Sequence, residues 1–266
     1  MCRLLGLMSV RPTRLGAVMP TGIKDLKKLS HEHKDGWGTA WRDSEGDLHR
    51  YRCADPAWTD PEFARTVTRR ASRQEILHLR KASEGLAVMQ DNCHPFIQGD
   101  IAFCHNGAFP VSQRLRDWAT AHDARPCLGT TDSELYFAIL LVFARTMDWP
   151  DAIEATVRLI SADVAIDDPL ARPHALNCLV ATPDTMYAYS QCDPTSLKPT
   201  SPANLYDLQL AADQERVVVC SSAITVPGAQ SIEQFRVITV HDDLRVEIGD
   251  RLDIFEPAET VQQSVA

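Results

Sequence analysis

Met1-Cys2-Arg3-Leu4-Leu5-Gly6-Leu7-Met8 opens the chain, and the reading of this stretch decides the fold. From Cys2 to Val10 the residues are apolar and weakly alternating, which predicts a buried strand that begins almost at the terminus. The stretch also puts a thiol at position two. Removal of Met1, which aminopeptidases carry out readily before a small residue, would leave Cys2 with a thiol and a free α-amine on one carbon. A thiol near pKa ~8.5 and an amine near ~7.7 to 8.0 can exchange a proton at neutral pH, so one residue would supply both nucleophile and base. Taken alone, the same pair reads more readily as a small hydrophobe starting an edge strand.

Working outward, Ile23, Leu26 and Leu29 recur at helical spacing over a lysine-rich face. Thr39 to Trp41 and Leu48 to Cys53 form a hairpin around Ser44-Glu45-Gly46-Asp47. Asp60-Pro61-Glu62 has the grammar of a helix start, and that helix is expected to run to about Ser72. Glu75 to Arg80 alternates as a strand, Asp91 to Phe96 reads as a loop, and Ile101 to Cys104 is a strand ending at Asn106-Gly107. Helices follow at 113–122, from Thr131 or Asp132 to Phe143, and from Trp149 to Ser161. Strands then return at 174–181, 186–189, 217–221, 235–240 and 244–248. The Pro-, Ser- and Thr-rich stretch 191–204 is expected to be a loop that could cover a site. In His33-Lys34-Asp35-Gly36-Trp37-Gly38 the glycines fit either a turn before a strand or a close backbone approach, with Trp37 or His33 as a wall.

Strands, a block of helices and strands again, with a reactive residue at the start of the first strand, predict an α+β chain. The expected architecture is a four-layer αββα sandwich of two stacked, mainly antiparallel sheets flanked by helices. With 266 residues, 44% hydrophobic and 24% charged, the composition suits a single domain over 2–256 and a flexible tail at 257–266. A formal charge of -9 disfavours nucleic-acid or anionic-membrane partners, because both require a basic surface. The eight cysteines contain no Cys-x-x-Cys pair, and the start of the chain has no export-type segment, so a reducing cytoplasm is expected. His31, His33, Cys93, His94, Cys104 and His105 raise the question of a metal. Adjacent Cys-His pairs on a strand point to opposite faces, so none is expected.

Three further motifs are His78-Leu79-Arg80-Lys81-Ala82-Ser83, Phe103-Cys104-His105-Asn106-Gly107 and Gly129-Thr130-Thr131-Asp132-Ser133-Glu134. Singly each has a plain alternative: Arg80 as a surface arginine on an edge strand, Asn106-Gly107 as a turn pair, Asp132 as a helix cap. Together with Cys2 and the His33 to Gly38 stretch, over roughly residues 2 to 240, they resemble the class II glutamine amidotransferases of the N-terminal-nucleophile hydrolases. The free-standing members, some of which cleave γ-glutamyl bonds in small thiol metabolites, are the most similar. The resemblance implies that Cys2 attacks the side-chain amide carbon and that Asn106 and Gly107 form the oxyanion hole. It also implies that Arg80 grips the substrate α-carboxylate, with Asp132 pairing the α-ammonium. Ser83 would replace the usual threonine hydroxyl, while Glu84 departs from the family pattern by bringing a negative charge near a carboxylate site.

No cofactor is implied. The expected partner is glutamine or another γ-glutamyl amide, and a synthase subunit or a second copy of the chain stay open as protein partners. Three functions therefore compete: a self-contained γ-glutamyl amide hydrolase, a glutaminase subunit feeding ammonia to a separate synthase, and a catalytically silent binding protein. The chain has no acceptor domain of its own, which favours the first.

Overall fold

The structure, a computed structural model, describes residues 2–197 and 199–254. Met1 and the expected tail at 257–266 lie outside those residues.

The strands are β1 (Arg3–Thr13), β2 (Trp37–Arg42), β3 (Leu48–Cys53), β4 (Ser72–Leu79), β5 (Phe96–Gln98), β6 (Ile101–Ala108), β7 (Ala175–Ala181), β8 (Thr185–Tyr189), β9 (Leu208–Ala212), β10 (Arg216–Ser221), β11 (Gln230–Ser231), β12 (Val237–His241) and β13 (Val246–Ile248). They form a seven-stranded sheet in the order β11-β9-β10-β1-β4-β2-β3 and a six-stranded sheet in the order β13-β12-β8-β7-β6-β5. Every strand pair among the described residues is antiparallel.

The helices are α1 (Leu15–Val18), α2 (Pro20–Glu32), α3 (Pro61–Thr68), α4 (Gln113–Ala121), α5 (Asp132–Phe143) and α6 (Trp149–Ala165). The alternation of the strands sorts apolar side chains into three cores and stacks four layers. Leu4 and Met8 of β1 meet Cys104, Leu179 and Met186 between the sheets. Leu5 and Leu7, one residue out of phase, pack under Leu15, Ile23, Leu26 and Phe63 of α1 to α3. On the other side, Phe103, Leu176 and Val180 pack under Tyr136, Ile139, Ile153 and Val157 of α5 and α6. Gly6 shares the inter-sheet face, where a Cβ would stand 2.5 Å from Met186 Sδ.

Several boundaries differ from expectation for tertiary reasons. β1 runs on to Thr13, which pairs with Ser72, so the chain after Thr68 is drawn into the interior strand β4 and α3 stops short of Ser72. The expected end of the strand at Asn106-Gly107 is wrong. Asn106 pairs with Asn177 and Gly107 with Leu176, so β6 continues to Ala108. Phe96, read as the end of a loop, instead opens β5, which pairs with β6, and β9 was missed. Gly36 (φ +119°) and Gly38 do allow a close approach, but by the protein itself: a Cβ on Gly38 would lie 2.2 Å from His94 O. Trp37 is buried against Phe63, and its indole N–H donates to Asp60 Oδ2 at 3.0 Å, so it belongs to the helix-side core.

Candidate active site

Strand parity decides what meets at the open end of the sandwich. Cys2 precedes β1 on the phase of Leu4, Gly6 and Met8, so its side chain faces the opposite sheet. Asn106 follows Ala102 and Cys104 on the inter-sheet phase of β6, whereas His105 turns outward to Tyr136. The two phases bring together residues 104 positions apart: Cys2 N–H donates to Asn106 Oδ1 at 2.8 Å. The other end of that carboxamide, Asn106 Nδ2, is fully buried and has no hydrogen-bond partner among the described residues. A buried donor without a partner costs about 1–3 kcal/mol.

Cys2 Sγ lies 3.7 Å from Lys81 O, a thiol donor to a carbonyl. Burial pushes the Cys2 thiol up, opposed by the Lys81 contact and the Arg80 charge, while Asp132 adds to the rise. Arg80 and Asp132 thus both act on the sulfur electrostatically, from opposite signs. A raised thiol is mainly protonated at neutral pH, so attack requires a nearby base.

Arg80 follows β4, only 2% exposed. Its Nη1 donates to Asp35 O at 3.1 Å and its Nη2 to Ala87 O at 3.2 Å. The backbone around it is doubly tied, Arg80 N to Gly36 O at 2.8 Å and Asp35 N to Arg80 O at 3.2 Å. The Asp35 carboxylate accepts from Ala82 N–H at 2.9 Å, which fixes the segment leaving Arg80.

Thr131, not Asp132, caps α5, its Oγ1 accepting from Glu134 N–H at 3.2 Å. That leaves Asp132 at the first helical position, where a carboxylate is favoured by the helix dipole. Asp132 Oδ2 accepts from Phe109 N–H at 3.0 Å, and Oδ1 accepts from the N–H and hydroxyl of Ser133 at 2.8 and 3.2 Å. Asp132 is therefore joined to the chain just beyond Asn106 and Gly107. At Gly107 a Cβ would stand 1.9 Å from Ala175 O, so no larger residue fits there.

Ser83 and Glu84 lie in the exposed turn after Arg80, where Ser83 O accepts from Leu86 N–H at 3.1 Å. Cys2, Asn106, Gly107, Arg80 and Asp132 thus gather at one end of the sandwich, while Ser83 is exposed and its side chain makes no hydrogen bond to them among the described residues. Sequence reading missed the Lys81 carbonyl and the Asp35 contacts, which depend on loop packing that leaves no periodic signal. His33 is buried, and burial together with the Arg3 and Lys81 charges holds it down to about 4. Among the described residues no cluster of His, Cys, Asp or Glu could hold a metal ion, and no helix is long and apolar enough to cross a membrane.

Two stacked antiparallel sheets between helices, with a cysteine just ahead of β1 facing an asparagine across the sheets, form the architecture seen in solved glutamine amidotransferase domains. The family model of class II glutamine amidotransferases matches residues 1–234, and the chain belongs to that family of enzymes. It is 32% identical over 165 residues to the gamma-glutamyl-hercynylcysteine sulfoxide hydrolase of Mycolicibacterium smegmatis, covering 61% of this chain and 63% of that protein. It is 26% identical over 245 residues to the putative glutamine amidotransferase YafJ of Escherichia coli, covering 87% and 91%. The probable glutamine amidotransferase DUG3 of Saccharomyces cerevisiae is 24% identical, matched over 53% of this chain and 45% of its own length. The fold is similar to that of a class II domain protein from Silicibacter pomeroyi (TM-score 0.64, 21% identity, 94% of this chain and all of that one). It is also similar to an allosteric regulatory enzyme of purine biosynthesis (TM-score 0.66, 18% identity, 95% of this chain and 49% of that one).

Proposed function

We propose that the chain hydrolyses the γ-glutamyl amide bond of glutamine or of a γ-glutamyl amide of a small amine, through a thioester on Cys2. The observation that carries this is the Asn106 carboxamide, whose oxygen holds the Cys2 nitrogen while its NH2 group is buried and unused. Once Met1 is removed, the Cys2 nitrogen is the α-amine. In its neutral form it takes the thiol proton, which the raised thiol would not give up unaided. The thiolate adds to the γ-carbonyl carbon, and the oxygen gains the electron pair of the broken π bond. Asn106 Nδ2 and the Gly107 N–H stabilise that oxyanion.

Collapse expels the amine, which leaves with the proton returned by the Cys2 ammonium. Water, deprotonated by the same nitrogen, then cleaves the thioester and releases glutamate. Arg80 pairs with the α-carboxylate and Asp132 with the α-ammonium, so both charges of a free glutamyl head are read; Ser83 contributes from the rim. The M. smegmatis relative's name supports a γ-glutamyl amide over plain glutamine. A 31% identical stretch of 118 residues in the glutamine–fructose-6-phosphate aminotransferase of Pseudomonas aeruginosa, 18% of that protein, supports the second reading, a glutaminase unit supplying ammonia to a synthase.

The deciding experiment incubates the chain lacking Met1 with glutamine and with a panel of γ-glutamyl amides, and measures released glutamate. Faster turnover of a γ-glutamyl amide supports the first reading, and fast release from glutamine alone supports the second. Undiminished turnover by Cys2→Ala overturns both.

A further inference from the structure

We infer that Asn92 is a positioning residue that sets the separation between Arg80 and Asp132, and so fixes which amino-acid head the site accepts. The inference rests on the reading of those two groups as the clamps on the substrate α-carboxylate and α-ammonium. Asn92 lies between α3 and α5 in sequence, outside every group assigned above, and is completely buried. Its Nδ2 donates to Ala87 O at 3.0 Å and to Thr130 Oγ1 at 3.2 Å, and its Oδ1 accepts from Thr130 N–H at 2.8 Å.

Each of those partners leads to one clamp. Ala87 O is the same carbonyl that takes the Arg80 Nη2 bond. Thr130 is two residues before Asp132 and adjoins its cap, Thr131. One carboxamide therefore spans the two substrate-binding elements from behind. The turn on the Asp132 side sits directly on it, since a Cβ on Gly129 would lie 2.3 Å from Asn92 Oδ1.

The segment on the Arg80 side needs such an anchor. Residues 83–85 and 87–90 are exposed, Val88 by 53%, so apolar burial does little to hold Ala87 O in place. Only a side chain that donates and accepts at once can serve both partners. Aspartate of the same shape loses both Nδ2 donations and leaves the Ala87 and Thr130 oxygens facing a carboxylate. A clamp left without its support loses about one hydrogen bond's worth of substrate binding, on the order of tenfold in affinity.

The test uses the chain lacking Met1 and two alkylating agents of Cys2. One is a glutamine-shaped diazoketone carrying both α-groups, and the other is iodoacetamide, which carries neither. In Asn92→Asp the half-saturating concentration of the diazoketone, and KM for the best γ-glutamyl amide, are expected to rise about tenfold or more, the equivalent of one lost hydrogen bond. The iodoacetamide rate and kcat are expected to stay within about threefold, because nucleophile and oxyanion donors are untouched.

Unchanged half-saturation in Asn92→Asp overturns the role of Asn92 while leaving the site reading intact. An equal loss with both reagents also overturns it, because the variant would then act on Cys2 and not on the clamps. If the unsubstituted chain shows no saturation with the diazoketone, the clamp reading fails and this inference falls with it. Should Asn92→Asp not fold, Thr130→Val decides: it removes only the hydroxyl, and it is expected to raise half-saturation about threefold with iodoacetamide reactivity unchanged, an unshifted value counting against the inference.

Discussion

Replacing Asn106 with Ala removes the oxygen that accepts the Cys2 N–H and the buried NH2 group that has no other partner. Loss of one oxyanion donor in a water-excluded site lowers kcat by about 10²–10³, so Asn106→Ala is expected to fall in that range with KM little changed. Asn106→Asp keeps an acceptor for the Cys2 nitrogen but removes the donor, so it is expected to lose as much kcat. Glutamate release under saturating substrate checks both, and a loss under tenfold in Asn106→Asp would show that the NH2 group is not used. Arg80 behaves differently, because two of its five N–H donors are already held by Asp35 O and Ala87 O. Arg80→Lys cannot reproduce that fork, so KM is expected to rise about tenfold or more while kcat moves less. A matched fall in kcat at constant KM would instead assign Arg80 to the chemical step.

At the scale of the strands, two glycines test how tightly the layers are set. Gly6 on β1 faces the flexible end of Met186, with the clash at 2.5 Å on a thioether sulfur that can swing aside. Gly6→Ala is expected to cost about 1–3 kcal/mol as ordinary overpacking, and to leave turnover measurable. Gly107 on β6 faces the backbone oxygen of Ala175 at 1.9 Å, which no rotamer change relieves. Gly107→Ala must therefore displace β7 or break the β6–β7 register, and its cost in urea unfolding is expected to exceed that of Gly6→Ala. The reverse order would mean that the sheet-to-sheet contact is stiffer than the strand pairing beside the site.

For the molecule as a whole, the fold is sensitive to acid. His33, His78, His94 and His105 are buried, and burial lowers each of them, against hydrogen bonds to Leu29 O, His105 O and Ala175 O where these exist. A folded-state value below the unfolded one, near ~6.5, means that the unfolded chain binds protons first as pH falls. Stability is then complete above about pH 6.5 and declines toward pH 4, His33 alone accounting for up to about 3 kcal/mol given its value of about 4. Melting temperature is expected to drop steadily between about pH 7 and pH 5. His94, its ring tilted 36° to that of His78 at 4.1 Å and neither of its ring nitrogens bonded among the described residues, is the clearest probe. His94→Leu is expected to flatten that slope, and an unchanged slope would show that His94 takes up protons equally in the folded and unfolded states.

The sequence by itself determined the local and chemical parts of this protein. Period-two apolar runs gave the strands, Asp60-Pro61 and Thr131-Asp132 marked helix starts, and five short motifs pointed to the family before any contact was known. What only the tertiary structure decided is where pairing stops and which loops touch. Asn106-Gly107 carries the local signal of a turn, yet β7 offers partners in register and the strand goes on through it. Asn92 joins the supports of Arg80 and Asp132 across 38 residues of sequence, and a contact at that separation has no periodicity to announce it. Local conformational preference is written residue by residue, whereas pairing and polar satisfaction are settled only when distant segments compete for the same hydrogen bonds.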